Sequence, residues 1–319
     1  MDIIESLEIL SPGPLTTVQD LGRYGFGRYG VPPSGALDSF SFRVANLLVG
    51  NPETEAGLEI TLMGLKMRVL TDLVVALCGG DLRPYLNDKP FNMWRSQMLR
   101  KGDTLLLKAP RTGCRAYLAA GGGIHVAPVL ASKSTNLASK FGGYEGRALR
   151  RGDVLFSAAP DRHFRSAGKI FKSEVRWSHT GDWGLRVLLG PQEKDFPEES
   201  KELFLDSPFT VSSQSDRTGI RLSGPTLHRE KDLGDSIISE GIVPGAIQVP
   251  GDGQPIILLV ETVTGGYRKI ATVISADLPL LGQVKPGDQV RFREVSMAEA
   301  RTALQERENH IHLLKKNPG

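Results

Sequence analysis

The sequence predicts a mostly β fold arranged as two domains, and three observations predict it. Glycine supplies 36 of 319 residues, against a usual share of about 7%, which implies frequent tight turns and short strands. From Leu58 to Cys78, and again between Leu185 and Phe292, short apolar or alternating runs are separated by Gly, Pro and Asp, the pattern of strands joined by turns. At about 150 residues per domain, 319 residues make two domains, each long enough to bury a core.

The opening loop contains G-x-G-x-x-G at Gly25-Phe-Gly-Arg-Tyr-Gly30. A dinucleotide site needs that pattern to follow a strand and open a helix, because the helix N-terminus holds the pyrophosphate. Pro32 and Pro33 follow directly, and Pro33 biases Pro32 away from the α region. No helix runs on from Gly30, and the glycines need another reason. A helix begins later, capped by Asp38 or Ser39, with Phe40, Val44, Leu47 and Leu48 on one face and Gly50-Asn51-Pro52 as its stop. Strands follow at Leu58–Leu62, Lys66–Leu70 and Leu73–Cys78, with a turn at Gly79-Gly-Asp81.

Three strings look alike: Arg100-Lys-Gly-Asp-Thr-Leu105, Arg150-Arg-Gly-Asp-Val-Leu155 and Lys285-Pro-Gly-Asp-Gln-Val290. They read either as three independent turns or as one repeated unit. Leu62-Met-Gly-Leu-Lys66 and Leu222-Ser-Gly-Pro-Thr226 support the repeat. Residues 158–172 read as a linker. A strand-rich second half follows, with a helical stretch at Glu193–Leu205. Ser296 and Glu299 form a capping box for a charged C-terminal helix with a thin apolar edge at Ala300, Ala303 and Leu304. The tail from His310 is expected to fray, and its His310 and His312, lacking further ligands, read as solvated side chains rather than a metal site. The expected domains are 1–160 and 173–295, followed by a C-terminal helix and tail at 296–319.

Composition excludes several functions. The 39 basic and 36 acidic residues are interspersed, for a net charge of +3, which is not the footprint of a nucleic-acid binder. Cys78 and Cys114 are the only cysteines; they make no disulfide framework, so the expected compartment is a reducing cytosol. The N-terminus lacks a signal-peptide core, and no apolar run approaches the ~18 residues of a membrane span. There is no P-loop, since Gly168-Lys169 is followed by Ile170, and no H-E-x-x-H. Ser34 is not in a nucleophile elbow, because Pro32 stands where the first Gly belongs. No Met-Lys among small residues marks a biotin-carrying lysine. If ATP or biotin enters the chemistry, another chain carries much of the machinery.

Three loops concentrate charge beside glycine. The first holds Gln19, Asp20, Arg23, Arg28, Ser34 and Asp38; the second is Ser213-Gln-Ser-Asp-Arg-Thr-Gly-Ile-Arg221. The third joins Ser239-Glu-Gly241, Gly245-Ala-Ile-Gln-Val-Pro250 and Thr264-Gly-Gly-Tyr267. Glycine lets backbone approach a ligand, and Arg grips carboxylate or phosphate with two bonds. Each loop alone is also explained as a turn held by its own polar pairs. Together they point to a site for a small anionic substrate.

These strings carry a resemblance. Thr17-Val-Gln-Asp-Leu-Gly-Arg23 with Gly30-Val-Pro-Pro-Ser-Gly-Ala-Leu-Asp38 resembles the opening of the biotin-dependent carboxyltransferase family, which includes allophanate hydrolase subunit 2, the C subunit of 5-oxoprolinase and KipA-like proteins. The likeness continues in order through Ala45-Asn-Leu-Leu-Val-Gly-Asn51, Tyr117-Leu-Ala-Ala-Gly-Gly-Gly-Ile124, Ser215-Asp-Arg-Thr-Gly-Ile-Arg221 and the third loop to Ser275-Ala-Asp-Leu278. It implies two cyclophilin-like β-barrel domains, and it attributes the opening glycines to a family signature loop. It also implies a subunit-B-like (KipI-like) partner and, for ATP-dependent opening of 5-oxoproline to glutamate, a subunit-A-like (LamB/YcsF) protein. The alternatives within the family are the carboxyltransferase part of urea carboxylase, which would bring biotin, and a KipA-like regulatory binder without catalysis.

The sequence departs from the family's Asp-x-Gln-Thr-Thr-Gly-Gly-Tyr-Pro. Val260 and Thr262 stand at the Asp and Gln positions, and Arg268 at the Pro. Glu261 is adjacent but, in a strand, would face the opposite side. The candidate residues are then Arg217 and Arg221 to hold an anionic group, with Asp216 and Glu240 for proton transfer or for orienting those arginines. Arg23, Ser34 and Asp38 would line another wall. Gln248 and Tyr267, with Gly265 and Gly266, would position polar atoms of the substrate. No metal ligands are expected.

Overall fold

The computed structural model describes residues 2–172 and 181–316. The chain forms two compact units, one of Met1–Arg23, Ser34–Ser178 and Glu308–Gly319, the other of Tyr24–Pro33 and His179–Arg307. The expected start of the second domain at 173 and the last three tail residues lie outside the described residues. Four α-helices accompany short strands among the described residues: α1 (Ser39–Leu48), α2 (Glu198–Asp206), α3 (Leu278–Leu281) and α4 (Met297–Lys316).

The first unit is two antiparallel sheets around one core. One sheet runs in the order Val154–Ala158, Ile3–Pro12, Leu65–Val69, Thr104–Leu107, Pro84–Leu86, Lys89–Pro90; the other runs Leu15–Gln19, Gly57–Thr61, Arg115–Ala120, Leu73–Gly79, Ser96–Leu99. Alternation along Leu65–Val69 sends Leu65, Met67 and Val69 inward and Lys66 and Arg68 to water. Leu7, Ile9, Met67 and Leu105 of one sheet meet Val18, Leu58, Val75 and Leu118 of the other. Leu73–Gly79 is buried on both faces, which is why its sequence does not alternate. Its second face carries Val74, Ala76 and Cys78 against Phe40, Val44 and Leu48 of α1.

Ile311 and Leu314 of α4 join this cluster. The tail expected to fray is therefore helical as far as Lys316. Two apolar residues three apart find a packed surface, and packing rather than propensity holds most helices. The stretch read as a linker is also packed: Pro160–Ser166 is a 3₁₀ helix, and Phe171 lies against Phe40 and Trp94 with ring centroids 6.0 and 5.7 Å apart.

The second unit is a closed seven-stranded barrel in the order Asp182–Leu189, Arg268–Val273, Ala246–Val249, Ile256–Leu258, Gly219–Ser223, Phe209–Val211, Gln289–Glu294. Asp182–Leu189 and Gln289–Glu294 close it as a parallel pair. Phe204 of α2 stacks on Phe292 at 4.4 Å. The helix read over Glu193–Leu205 is broken in two: Glu193–Asp195 is a 3₁₀ turn, Pro197 is the N-cap, and α2 begins at Glu198, because proline has no N–H to continue a helix. A two-stranded sheet, Glu240–Gly241 with Thr264–Gly265, stands apart from the barrel strands.

The three look-alike strings prove to be one structural unit used three times. In each, the Asp N–H donates to the carbonyl three residues back (Arg100, Arg150, Lys285) at 2.9, 3.2 and 3.1 Å. The Asp carboxylate accepts that same residue's N–H at 2.7, 2.7 and 3.1 Å. The intervening Gly has φ of 94°, 89° and 87° and donates to Val69, Ile9 or Val211 at 2.8, 2.8 and 2.9 Å, which donate back to the Asp carbonyl. Only glycine takes that φ without strain.

Candidate functional site

In the opening loop the glycine pattern forms a three-residue 3₁₀ turn, Gly27–Tyr29, and the next α-helix starts at Ser39. No α-helix N-terminus directly follows the glycines, so the loop lacks the element with which a dinucleotide turn holds pyrophosphate. Among the described residues no three His, Cys, Asp or Glu side chains group to hold a metal ion.

The candidates of the first unit are all buried and occupied. Asp38 is the N-cap of α1; its carboxylate accepts the Ser41 N–H at 2.9 Å and the Ser41 hydroxyl at 2.6 Å. Arg23 donates to the Ser134 carbonyl and lies 4.7 Å over the Phe141 ring. Ser34, in the left-handed region with φ 54°, accepts from the Asn136 amide at 3.1 Å. Arg23 and Ser34 thus both hold the segment around residues 134–141, and Asp20 adds bonds to Ser132 and to the Lys133 N–H at 2.7 and 2.6 Å.

In the second unit, Asp216 caps its own turn. Its carboxylate accepts from Thr218 and Gly219 N–H at 2.7 and 3.1 Å. The next residue, Arg217, turns inward and donates through two nitrogens to one oxygen of Glu261 at 3.2 and 3.1 Å. Both side chains are only 4% exposed. This corrects the reading of Glu261: residues 260 and 261 are a turn rather than strand, so alternation does not send Glu261 away. Arg221 sits on the strand Gly219–Ser223, where Ile220 and Leu222 face the core and Arg221 faces water. The structure therefore gives the two arginines opposite environments.

Gln248 is buried, and its amide donates to the Tyr267 carbonyl at 3.2 Å. A Cβ on Gly265 would lie 2.5 Å from that amide nitrogen and 2.3 Å from the Ile242 side chain, so a larger residue here would displace the end of the Gln248 or Ile242 side chain. The Gly266 carbonyl accepts from Ile237 at 2.7 Å, and Tyr267 is exposed. The pairing of Ala246–Val249 with Arg268–Val273 skips Ile270, passing from Ile247↔Ala271 to Gln248↔Lys269. Such a bulge re-aims side chains, and here both Arg268 and Lys269 end buried.

Lys269 pairs with Glu240. Gln192 closes the corner, donating to Glu240 at 2.8 Å and accepting the Lys269 N–H at 3.1 Å. The Lys269 ammonium, and after it the Gln192 amide, hold the Glu240 carboxyl below its ordinary range. Glu240 is thus an ionised acceptor that orients a lysine rather than an arginine. Arg268 donates to Asp195 at 2.7 Å and to the Gly234 carbonyl at 2.6 Å. Sequence reasoning missed Glu261, Lys269, Arg268, Gln192 and Asp195. The only signal for the first four was adjacency to the glycine-rich loop or to an expected helix start.

The model of the carboxyltransferase domain, subdomain A and B, matches residues 29–294. The chain is 40% identical to the 5-oxoprolinase C subunit of Escherichia coli (strain K12) over 310 residues, 97% of each protein. It is 37% identical to urea amidolyase of Lachancea kluyveri, covering 97% of this chain but 18% of that one. The crystal structure of Kluyveromyces lactis urea carboxylase superposes on it with a TM-score of 0.92 at 34% identity, over 100% of this chain and 30% of that chain.

Proposed function

Because the chain belongs to the family of the carboxyltransferase domain, subdomain A and B, we propose that it is the subunit-C-like component of an ATP-dependent 5-oxoprolinase, opening 5-oxoproline to L-glutamate together with a subunit-B-like chain. The observation that carries this is the end-to-end match, 97% of both proteins, to the C subunit of a 5-oxoprolinase. A second reading, the carboxyltransferase part of a urea-carboxylase-like enzyme, is favoured by the superposition at TM-score 0.92. Those relatives carry the homologous region as less than a third of a longer chain and at 34–37% identity, against 40% for the 5-oxoprolinase C subunit, so the first reading is preferred.

In this proposal Arg221, exposed on its strand, receives the substrate carboxylate with a two-pronged bond. Arg217, already neutralised by buried Glu261, fixes the loop that carries it. Lys269, oriented by Glu240, supplies fixed positive charge for the lactam oxygen as the ring carbon is attacked. The Gly265-Gly266 backbone gives close approach and Gln248 holds the loop. Arg23 and Ser34 fix the segment 134–141 of the first unit, and Asp38 fixes the start of α1. ATP is bound at a site shared with, or lying on, a partner chain. The surface beside the site supports such a partner: Ile238 is 93% and Val243 59% exposed, and Tyr267 is exposed as well. A partner interface of standard size would bury about 1,600 Å² and cover these groups.

The test is an ATPase and glutamate-release assay on the chain alone, with its subunit-B-like partner, and with a subunit-A-like (LamB/YcsF) protein added. Turnover is expected only in the assembled system. Full turnover by the isolated chain, or failure of the pair to associate at micromolar concentration, overturns the reading. Urea-dependent ATP hydrolysis with a biotin-bearing partner would establish the second reading instead.

A further inference from the structure

Consecutive residues on one strand, Arg268 and Lys269, grip the two ends of one short turn. Asp195, the last residue of the turn Glu193–Asp195, takes the Arg268 guanidinium, and Gln192, just before it, takes the Lys269 N–H. The same Arg268 reaches the Gly234 carbonyl, and the Asp195 carbonyl accepts the Glu230 N–H at 2.9 Å. The segment 230–242 is therefore anchored twice at its start by one ion pair. Further on, its Ile237 and Ile242 N–H groups bond Gly266 and Val263 at 2.7 and 2.9 Å, and Glu240 meets Lys269. Most of the segment's side chains are exposed, Ile238 almost fully, so packing does little to hold it. The Arg268 side chain is 7% exposed and Asp195 34%, so the anchor is a partly desolvated pair of the kind that resists screening. Proline, the family's residue at this position, could make neither bond, having no side-chain donor.

We propose that Arg268 is a positioning residue of the site: by fixing segment 230–242 through Asp195 and Gly234 it presents Glu240 to Lys269. The functional consequence rests on the reading of the Glu240–Lys269 corner given above; the anchoring itself does not.

The test uses Arg268→Gln, Asp195→Asn, their double variant and Arg268→Lys in the full chain. Amide exchange across 230–242 and the titration of the Glu240 carboxyl are read without any activity. Arg268→Gln is expected to speed exchange about tenfold, Asp195→Asn by less because Arg268 keeps its bond to the Gly234 carbonyl, and the double variant no further than Arg268→Gln, because the ion pair is common to both. The Glu240 titration is expected to move up toward an ordinary carboxyl, and Arg268→Lys to restore both readouts in part. In the assembled enzyme, kcat for 5-oxoproline should fall about tenfold with KM within about twofold, the sign of a lost interaction made in the transition state rather than in substrate binding. Unchanged exchange, additive effects of the two single variants, or a loosened segment with unchanged kcat each overturn the proposal. Should the natural complex not act on 5-oxoproline, the functional reading falls, and exchange and titration still decide the anchoring.

Discussion

Arg217 and Glu261 show how much one buried pair asks of its surroundings. Both side chains are nearly closed to water. Removing one partner of such a pair leaves a buried charge and costs about 3–5 kcal/mol, whereas replacing both by apolar groups is often neutral. Glu261→Ala is therefore expected to destabilise the protein by about 3 kcal/mol, and Arg217→Met with Glu261→Leu to regain most of that while activity stays low. Urea denaturation followed by circular dichroism, beside the turnover assay, checks both; a double variant no more stable than Glu261→Ala would show that the charge is not the cause.

Glu240 behaves differently because it is exposed. Its carboxyl is depressed by Lys269 first and Gln192 second, from an ordinary 4.5. A depressed carboxyl stabilises the fold above its unfolded value and loses that contribution as pH falls through the folded value. The tie to Lys269 should thus persist at pH 4.5 and be lost below it. Amide exchange at Ile242, corrected for its intrinsic pH dependence, should rise only in that acid window, and Glu240→Gln should remove the step.

The repeated turn sets the costs of glycine at the scale of an element. Gly102, Gly152 and Gly287 share φ near 90°, and an added Cβ at any of them meets nothing within 4 Å. Alanine there pays only for the left-handed backbone, about 1–2 kcal/mol. Gly122 has a similar φ of 86°, but its Cβ would sit 1.9 Å from the Ala158 carbonyl oxygen. Gly122→Ala should therefore cost well over the ~2 kcal/mol of strain alone, since backbone must move. Thermal melts of the four variants check this, and equal losses at Gly122 and Gly152 would refute it. The capping box of α4 belongs here too: Ser296 N–H donates to Glu299 at 2.7 Å and Glu299 N–H donates back to the Ser296 hydroxyl at 3.2 Å. The spacing Ser-x-x-Glu was enough to place that boundary.

At the scale of the molecule, the second unit leaves apolar side chains in water beside its site. Ile238→Asp with Val243→Asp should leave the melting temperature of the isolated chain unchanged, as exposed substitutions usually shift stability by no more than about 0.5 kcal/mol. The same change should weaken co-purification with the subunit-B-like chain at least about tenfold, because charges at an interface core are costly. Sedimentation of the pair measures it; undiminished association would place the partner elsewhere. Among the described residues no helix is long and apolar enough to cross a membrane.

Local rules read from the sequence alone determined the mostly β character, α1 with a cap at Asp38 or Ser39, the strands around residues 57–79, the capping box, the Gly-Asp turns and the family. Each of these depends on residues within a few positions of one another, or on an ordered series of short strings. Tertiary structure decided the rest. A turn in place of a strand brought Glu261 to Arg217; a bulge aimed Lys269 at Glu240; Pro197 split a helix so that Asp195 could hold Arg268; and a cluster built by residues far back in the chain made a helix of the tail, joining Ile311 to Phe40 and Val44. These pairings join residues far apart in the chain. Their partners are chosen by barrel closure and burial, which no local pattern encodes.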